Sequence, residues 1–226
     1  MENNTVEEKY CDGDVCINPH FKECSDDGEC NYEGGVCCVS GCDMPTFEHE
    51  DYSSQTSNIN NDVSARQNFS NKVEKMLNTH IGVEMNAFHC YLSLAAYFNK
   101  DNVSLHGFSA FFQKSSDEEL AHAKMFIDYI NDRGGRYKSS EIKSYNFDEI
   151  TPLDALQTVL ELEKMVNDCL LDIHKVASES GDPHLSDFLE EHFLTEQVNS
   201  IRELTGMIAR LKIAGTYLFD LELSKK

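Results

Sequence analysis

Apolar side chains recur at every seventh position over three long stretches of the chain, and each stretch is interrupted once by a glutamate. Such a repeat places its residues on the buried stripe of an amphipathic helix. The three series are Leu77, Glu84, Tyr91 and Phe98; Leu105, Phe112, Glu119 and Phe126; and Leu156, Glu163, Leu170 and Ala177. The pattern therefore predicts three long helices, each with one acid on its core-facing side.

A fourth series of the same spacing adds a histidine to these acids. Its members are Phe108, Ser115, His122 and Tyr129. Residues three apart on a helix project from nearly the same face, so His122 lies one turn beyond Glu119. We expect both to converge with Glu84 and Glu163 inside one bundle. Unpaired buried carboxylates are costly and must be neutralised by protons, basic partners or metal, and no Lys or Arg occupies these series, which favours metal.

Capping residues and glycines set the helix boundaries. The predicted helices span residues 70–98, 105–131, 152–181, 182–214 and 217–223. The intervening segment 134–150 is polar and far longer than a tight hairpin requires, so it can carry the chain from one end of a bundle to the other. The predicted fold is all-α, a four-helix bundle with a long crossover and a short fifth helix.

Cysteine content differs sharply between the amino-terminal segment and the rest of the chain. Seven of the nine cysteines lie between Cys11 and Cys42. This density predicts a loop-rich, disulfide-stapled extension over residues 1–45, although its connectivity cannot be derived from the sequence. A cysteine and histidine metal site using His20 or His49 is an alternative. Residues 46–69 are polar and aperiodic and are predicted to form a linker to the bundle of residues 70–226.

Net charge narrows the classes of partner. The formal charge of -21 repels phosphate backbones and anionic lipid and favours cations, so neither nucleic acid nor a membrane is an expected partner. No apolar run approaches the roughly 20 residues of a membrane span, and residues 1–9 lack the apolar core of a secretory signal. A cytoplasmic location is expected on this ground, whereas the cysteines favour the secretory pathway as an alternative.

Ligand chemistry favours iron within the bundle. Oxygen ligands with one imidazole suit iron or manganese better than structural zinc, which prefers thiolate and histidine. Di-iron bundles supply two Glu-x-x-His motifs, and here only Glu119 to His122 qualifies, because Gln197 is followed by Val198, Asn199 and Ser200. The sequence predicts an asymmetric centre whose second position holds its ion weakly, which suits iron as a substrate.

Two long motifs carry a resemblance to a known family. The string DPHLSDFLEEHFLTEQVNSIR at 182–202 and the string EELAHA at 118–123 resemble the helix-four and helix-two signatures of eukaryotic ferritins. The NDRGGR turn is equally characteristic, and the resemblance covers nearly all of residues 70–226. It implies a heavy-type subunit of a homo-oligomeric or mixed shell, with 24 subunits expected.

The resemblance also implies a ferroxidase centre that takes two irons per subunit. Glu84 and His122 would hold one iron, and Glu119 would bridge. Glu163 would hold the second iron, with Gln197 nearby.

Further residues match the family around this centre and at the shell's pores. Tyr91 would hydrogen-bond to the centre and donate an electron, and Glu196 would border it; a packing role is the alternative for Tyr91. Asp187 and Glu190 match positions that line the threefold pores and guide cations inward, and His174 matches a position near that channel. An ordinary solvated acidic face is the alternative.

Departures from the family concern the mineral cavity and the fourfold axis. Ala121 and Lys124 stand where heavy-type chains usually carry glutamates that nucleate mineral, so weaker nucleation is expected. The connection at Gly215 is shorter than usual, which puts the fourfold pore geometry in question. Within the extension, residues 24–42 resemble, weakly, half of a whey-acidic-protein module, but that module needs eight cysteines and the whole extension has seven.

The function expected from the residues and the resemblance together is iron storage and detoxification. Fe(II) and dioxygen would be the substrates of a ferroxidase, and ferric oxide mineral would be stored inside the shell. One alternative is a non-catalytic storage or carrier subunit. The other is a multimeric scaffold that displays the cysteine-rich module.

Overall fold

The computed structural model describes residues 65–225 and the backbone of two short strands near the amino terminus. Strands β1 (Cys16–Ile17) and β2 (Val36–Cys37) pair antiparallel, with Cys16 opposite Cys37. The predicted disulfide framework otherwise lies outside the described residues, as does the predicted polar linker up to residue 64. The last residues of that linker pack on the bundle instead, since Phe69 is buried in the core and Arg66 pairs with Glu74 of α1.

Six α-helices and one π-helical turn account for most of the described chain. They are α1 (Asn71–Phe98), α2 (His106–Asp132), α3 (Pro152–Glu179), α4 (Pro183–Leu189), a π turn (Glu190–Leu194), α5 (Thr195–Ala214) and α6 (Thr216–Leu223). Helices α1 and α2 form one packed pair, α3 and α5 form the other, and α1 also packs on α3. The predicted all-α four-helix bundle with a short fifth helix is confirmed. None of the described helices combines the length and the apolar character needed to cross a bilayer.

Side-chain caps fix three of the helix starts that the sequence predicts. The hydroxyl of Ser70 accepts a hydrogen bond from the N–H three residues later, at 3.1 Å. Thr151 does the same for α3 at 3.1 Å and donates in return to Asp154 Oδ2 at 2.6 Å. Asp182 caps α4, also at 3.1 Å. Each cap satisfies an N–H that has no partner within its own helix.

The predicted fourth helix is present over residues 183–214, but the sequence did not predict the π turn that lies within it between α4 and α5. The buried residues across this junction are spaced by four: Leu185, Leu189, Phe193 and Gln197. In a straight α-helix a spacing of four drifts away from the core, since one turn takes 3.6 residues. The wider π turn absorbs the extra residue, so Gln197 stays inside the bundle.

A row of polar residues on α1 holds the crossover against the bundle. Their side-chain oxygens accept hydrogen bonds from crossover N–H groups as follows: Glu74 from Arg136 at 2.8 Å, Asn78 from Lys138 at 2.6 Å and Asn86 from Lys143 at 2.8 Å. At the remaining position of this row Gly82 leaves room for Ser140, whose Oγ would lie 2.5 Å from an added Cβ. Two extended residues advance about as far as one turn of helix, so the spacing of four matches the crossover.

The apolar core is divided into two clusters by a polar layer. One cluster contains Val73, Leu77, Ile81, Phe126, Ile130, Leu170, Ile173 and Phe193, among others. The other contains Leu94, Phe98, Phe108, Phe112, Leu156, Val159, Leu204 and Met207, among others. The buried polar residues between these two sets of sequence positions include a carboxylate or amide from each long helix: Glu84, Glu119, Glu163 and Gln197. The four helices therefore place the candidate site near the middle of the bundle.

The short helix α6 caps the amino-terminal end of α2. It follows α5 after Gly215 alone, whose φ of 75° lies in the left-handed region that favours glycine. The first turn of α2 lacks a capping side chain of its own, and the buried Asp220 of α6 accepts from the Phe108 N–H at 3.0 Å. Gly107 permits this approach, since an added Cβ would lie 2.1 Å from the carbonyl oxygen of Asp220.

Asp220→Ala should destabilise the bundle by about 1–2 kcal/mol, because it removes a helix cap and leaves a buried N–H without a partner. The thermal unfolding midpoint of the assembled full chain measures this effect. Glu222→Ala is the matched control on the same helix, since its contact with Arg210 is exposed and contributes little. Equal midpoints for the two variants would contradict the capping role of α6.

Candidate metal centre

Two adjacent helices bring two acids and a histidine together. One possible ligand atom from each of Glu84, Glu119 and His122 lies within 4.8 Å of the other two. Glu84 is fully buried and Glu119 is 6% exposed, whereas His122 is partly accessible. His122 Nδ1 lies 3.4 Å from Glu119 Oε2, as the spacing of three along α2 predicts. The cluster therefore offers oxygen and nitrogen atoms to one small cation.

The third acid comes from α3 and already has hydrogen-bond donors on both of its oxygens. Tyr91 Oη donates to Glu163 Oε1 at 2.5 Å, and Gln197 Nε2 donates to Glu163 Oε2 at 3.0 Å. The same Gln197 nitrogen lies 2.9 Å from the Glu163 carbonyl oxygen. All three side chains are buried. Glu163 is thus held in place by two neutral donors.

Burial makes the ionised form of each acid unfavourable. It raises the pKa of Glu84 to about 7 and, together with the charge of Glu84, the pKa of Glu119 to about 8. Burial and the charge of Glu119 also raise the pKa of Glu163 to about 7. For His122, burial alone would lower the pKa, but the hydrogen bond to Glu119 and the neighbouring negative charges raise it to about 9. The raised pKa values favour the protonated form of these acids near neutral pH, and a bound cation would displace their protons.

Buried polar atoms without a hydrogen-bond partner lie on the α1 side of the cluster. Both oxygens of Glu84 and both ring nitrogens of His80 are buried without a hydrogen-bond partner. His80 Nε2 lies only 2.7 Å from Glu84 Oε1, but the two groups are not aligned as a hydrogen bond. Among the ion pairs of the described residues, none joins Glu84, Glu119 or Glu163 to a lysine or arginine. A cation is the partner whose chemistry fits these orphaned oxygens.

The remaining predicted residues lie outside the buried cluster. Glu196 is exposed, although its charge contributes to the raised pKa of His122. Asp187 and Glu190 are exposed on α4 and the π turn. Glu190 Oε1 lies 2.7 Å from Nε2 of His174, which connects the π turn to α3.

Sequence reasoning missed His80. It lies four residues before Glu84 on α1 and is completely buried, with its ring edge-on to Phe126 at 4.7 Å. Burial lowers the pKa of His80 to about 3, so the imidazole is neutral. The spacing of four between a histidine and a glutamate on one helix is a signal that could have found it.

Comparisons with known proteins find similarity to ferritins. A family model described as a ferritin-like domain matches residues 74–214. A middle-subunit ferritin of Salmo salar is 45% identical over 164 residues, covering 69% of this chain and 93% of the relative. The soma ferritin of Lymnaea stagnalis is 45% identical over 163 residues, covering 70% and 94%. A chloroplastic ferritin of Malus baccata var. xiaojinensis is 44% identical over 156 residues, and the match spans 67% of this chain but only 62% of that relative.

Glu119→Gln should raise the thermal unfolding midpoint of the metal-stripped protein, because it removes an acid that is costly to bury beside Glu84. A gain of about 1 kcal/mol corresponds to about 2–4 °C in a domain of this size. Zinc chloride should stabilise the wild type, by about 2.7 kcal/mol at a concentration 100 times the Kd, and should stabilise this variant much less.

Glu118→Gln is the matched control, since Glu118 is the exposed neighbour on the same helix. It should leave the metal-free midpoint and the zinc response at their wild-type values. A metal-free Glu119→Gln protein that is less stable than the wild type, with an undiminished zinc response, would contradict a cation site at this cluster.

Proposed function

Because the chain belongs to the ferritin family, we propose that it is a heavy-type subunit that oxidises Fe(II) with dioxygen and stores the ferric product. Iron storage is the function that family membership itself supports. The proposal adds ferroxidase activity and a mineral-filled shell of 24 subunits. The observation that carries it is the buried cluster of Glu84, Glu119 and His122 with unpartnered oxygens at its edge.

The first Fe(II) would bind between α1 and α2. Glu84 and His122 supply one ligand atom each, and Glu119 supplies an oxygen that can bridge to a second ion. This half of the centre is open, because neither oxygen of Glu84 has a partner to give up. Binding also relieves the repulsion between two neighbouring buried acids, so the first ion gains from both effects.

The second Fe(II) would bind more weakly, beside Glu163. Both carboxylate oxygens of Glu163 accept hydrogen bonds from Tyr91 and Gln197, which a second ion must weaken or displace. Gln197 offers a neutral amide where a second histidine would complete a symmetric di-iron set. A weak second position suits an ion that is turned over and passed to the mineral.

Electron transfer from the metal pair accounts for the oxidation. Two Fe(II) ions give up two electrons, which reduce one dioxygen to hydrogen peroxide when two protons are supplied. The carboxylates hold iron in both valences, and the surrounding aromatic rings limit the entry of water. Tyr91, which donates a hydrogen bond to Glu163, is placed to hold that ligand.

Exposed residues away from the cluster are consistent with the proposed iron oxidation and storage. Asp187 and Glu190 are exposed acids that would line the threefold pores and attract Fe(II), with His174 beside them. Ala121 and Lys124 are exposed on α2 and offer no carboxylate to growing mineral. Slow nucleation therefore accompanies retained oxidation in this proposal, and the subunit would assemble alone or with other ferritin chains.

Glu119→Ala and His122→Ala should each reduce the initial rate of Fe(II) oxidation by at least about 100-fold, since residues that merely support a metal ligand already change metal sites by 10–100-fold. Stopped-flow absorbance of the assembled, metal-stripped protein after mixing with Fe(II) and dioxygen measures the rate. Glu118→Ala serves as the exposed control. Wild-type rates in both site variants would exclude the ferroxidase and favour a scaffold that displays the cysteine-rich segment.

Tyr91→Phe should lower the oxidation rate by about tenfold while leaving the first zinc-binding event at wild-type affinity, because Tyr91 contacts Glu163 and not the open half of the centre. Tyr137→Phe, which alters an exposed tyrosine, is the control. An unchanged oxidation rate would reduce Tyr91 to a packing residue. The rate comes from stopped-flow absorbance and the affinity from calorimetry.

A further inference from the structure

His80 is a fully buried histidine for which the fold supplies no aligned hydrogen bond. It lies one turn before Glu84 on α1, and its ring packs edge-on against Phe126. Neither ring nitrogen has a hydrogen-bond partner, and the same is true of both Glu84 oxygens. Buried polar groups of this kind are costly to leave unsatisfied, so their pairing belongs to a state in which Glu84 is differently placed or charged.

We propose that His80 is a positioning residue for the metal centre, in which His80 Nε2–H donates to Glu84 Oε1 when Glu84 binds a cation through its other oxygen. The inference rests on the proposed ferroxidase function and adds a residue to it. The two atoms lie 2.7 Å apart, within hydrogen-bond reach, and only their alignment is missing.

The charge state of the metal-bound centre determines which way the hydrogen bond runs. A Glu84 that binds a cation is ionised and can only accept hydrogen bonds. The facing nitrogen of His80 must then carry the hydrogen, since a bare ring nitrogen would set one lone pair against another. His80 thereby fixes the orientation of one oxygen and leaves the second directed to the metal. Carboxylates that bind metals are commonly held by such a hydrogen bond.

Positioning fits the geometry better than direct ligation by His80. The cluster with mutually close ligand atoms contains Glu84, Glu119 and His122, and His80 is not a member of it. The contact of His80 is with the Glu84 carboxylate, four residues away on the same helix. His80 therefore acts through Glu84.

Two substitutions at His80 separate the hydrogen bond from the packing. His80→Leu fills the space without a donor, and His80→Gln retains an N–H group with similar reach. Calorimetric titration of the assembled, metal-stripped full chain with zinc chloride should show a 10–100-fold weaker Kd for His80→Leu at the buried centre. His80→Gln should restore the Kd to within about threefold of the wild type. His89→Leu, on the same helix and outside the cluster, is the control and should match the wild type.

Glu119→Ala identifies which part of the zinc signal belongs to this centre. If Glu119→Ala abolishes that part while His80→Leu binds zinc as the wild type does, the positioning role is wrong and the metal centre stands. If Glu119→Ala leaves zinc binding unchanged, the proposed function fails independently of His80. If His80→Leu does not assemble, His80→Met provides the same donor-free comparison. A loss that His80→Gln does not restore would also overturn the proposal.

Discussion

The main constraint on this structure is the free-energy cost of burying three carboxylates in the polar layer between two apolar clusters. Each of Glu84, Glu119 and Glu163 is at least nine-tenths buried, and each has a raised pKa. Protonation lowers this cost, and a bound cation could replace the protons. The rest of the bundle supplies the stability that tolerates such a layer, through aromatic packing on both sides. Stability and function are thus opposed at the centre of one small domain.

The fourth helix reconciles two demands through its π turn. Its amino-terminal part carries the exposed acids Asp187 and Glu190, whereas its carboxyl-terminal part buries Gln197 beside Glu163. A regular α-helix over the spacing from Leu185 to Gln197 would rotate the later residue away from the core. The π turn at Glu190–Leu194 corrects that rotation where the exposed face gives way to the buried site. π turns are frequent at functional sites for this reason.

The heptad series predicted the fold and the burial of the three acids, because that pattern depends on helix geometry alone. It could not predict the π turn. That turn accompanies the buried spacing of four from Leu185 to Gln197, which differs from the spacing of seven in the other helices. It also missed the way in which Asn78 and Asn86 hold the crossover, since each is an ordinary polar residue until the crossover lies on it. His80 was missed because only the folded structure shows that its ring nitrogens have no aligned partner.

The two halves of the centre differ in what they lack. In the α1 and α2 half no donor is aligned on either oxygen of Glu84, so these oxygens can accept a cation or a hydrogen bond from His80. The α3 and α5 half lacks a second histidine, and its acid is already saturated by Tyr91 and Gln197. A cation entering this layer gains most where no existing hydrogen bond is lost. In the proposed centre, hydrogen-bond occupancy would therefore set the order of binding, with the first ion held by α1 and α2 and the second exchanging beside α3.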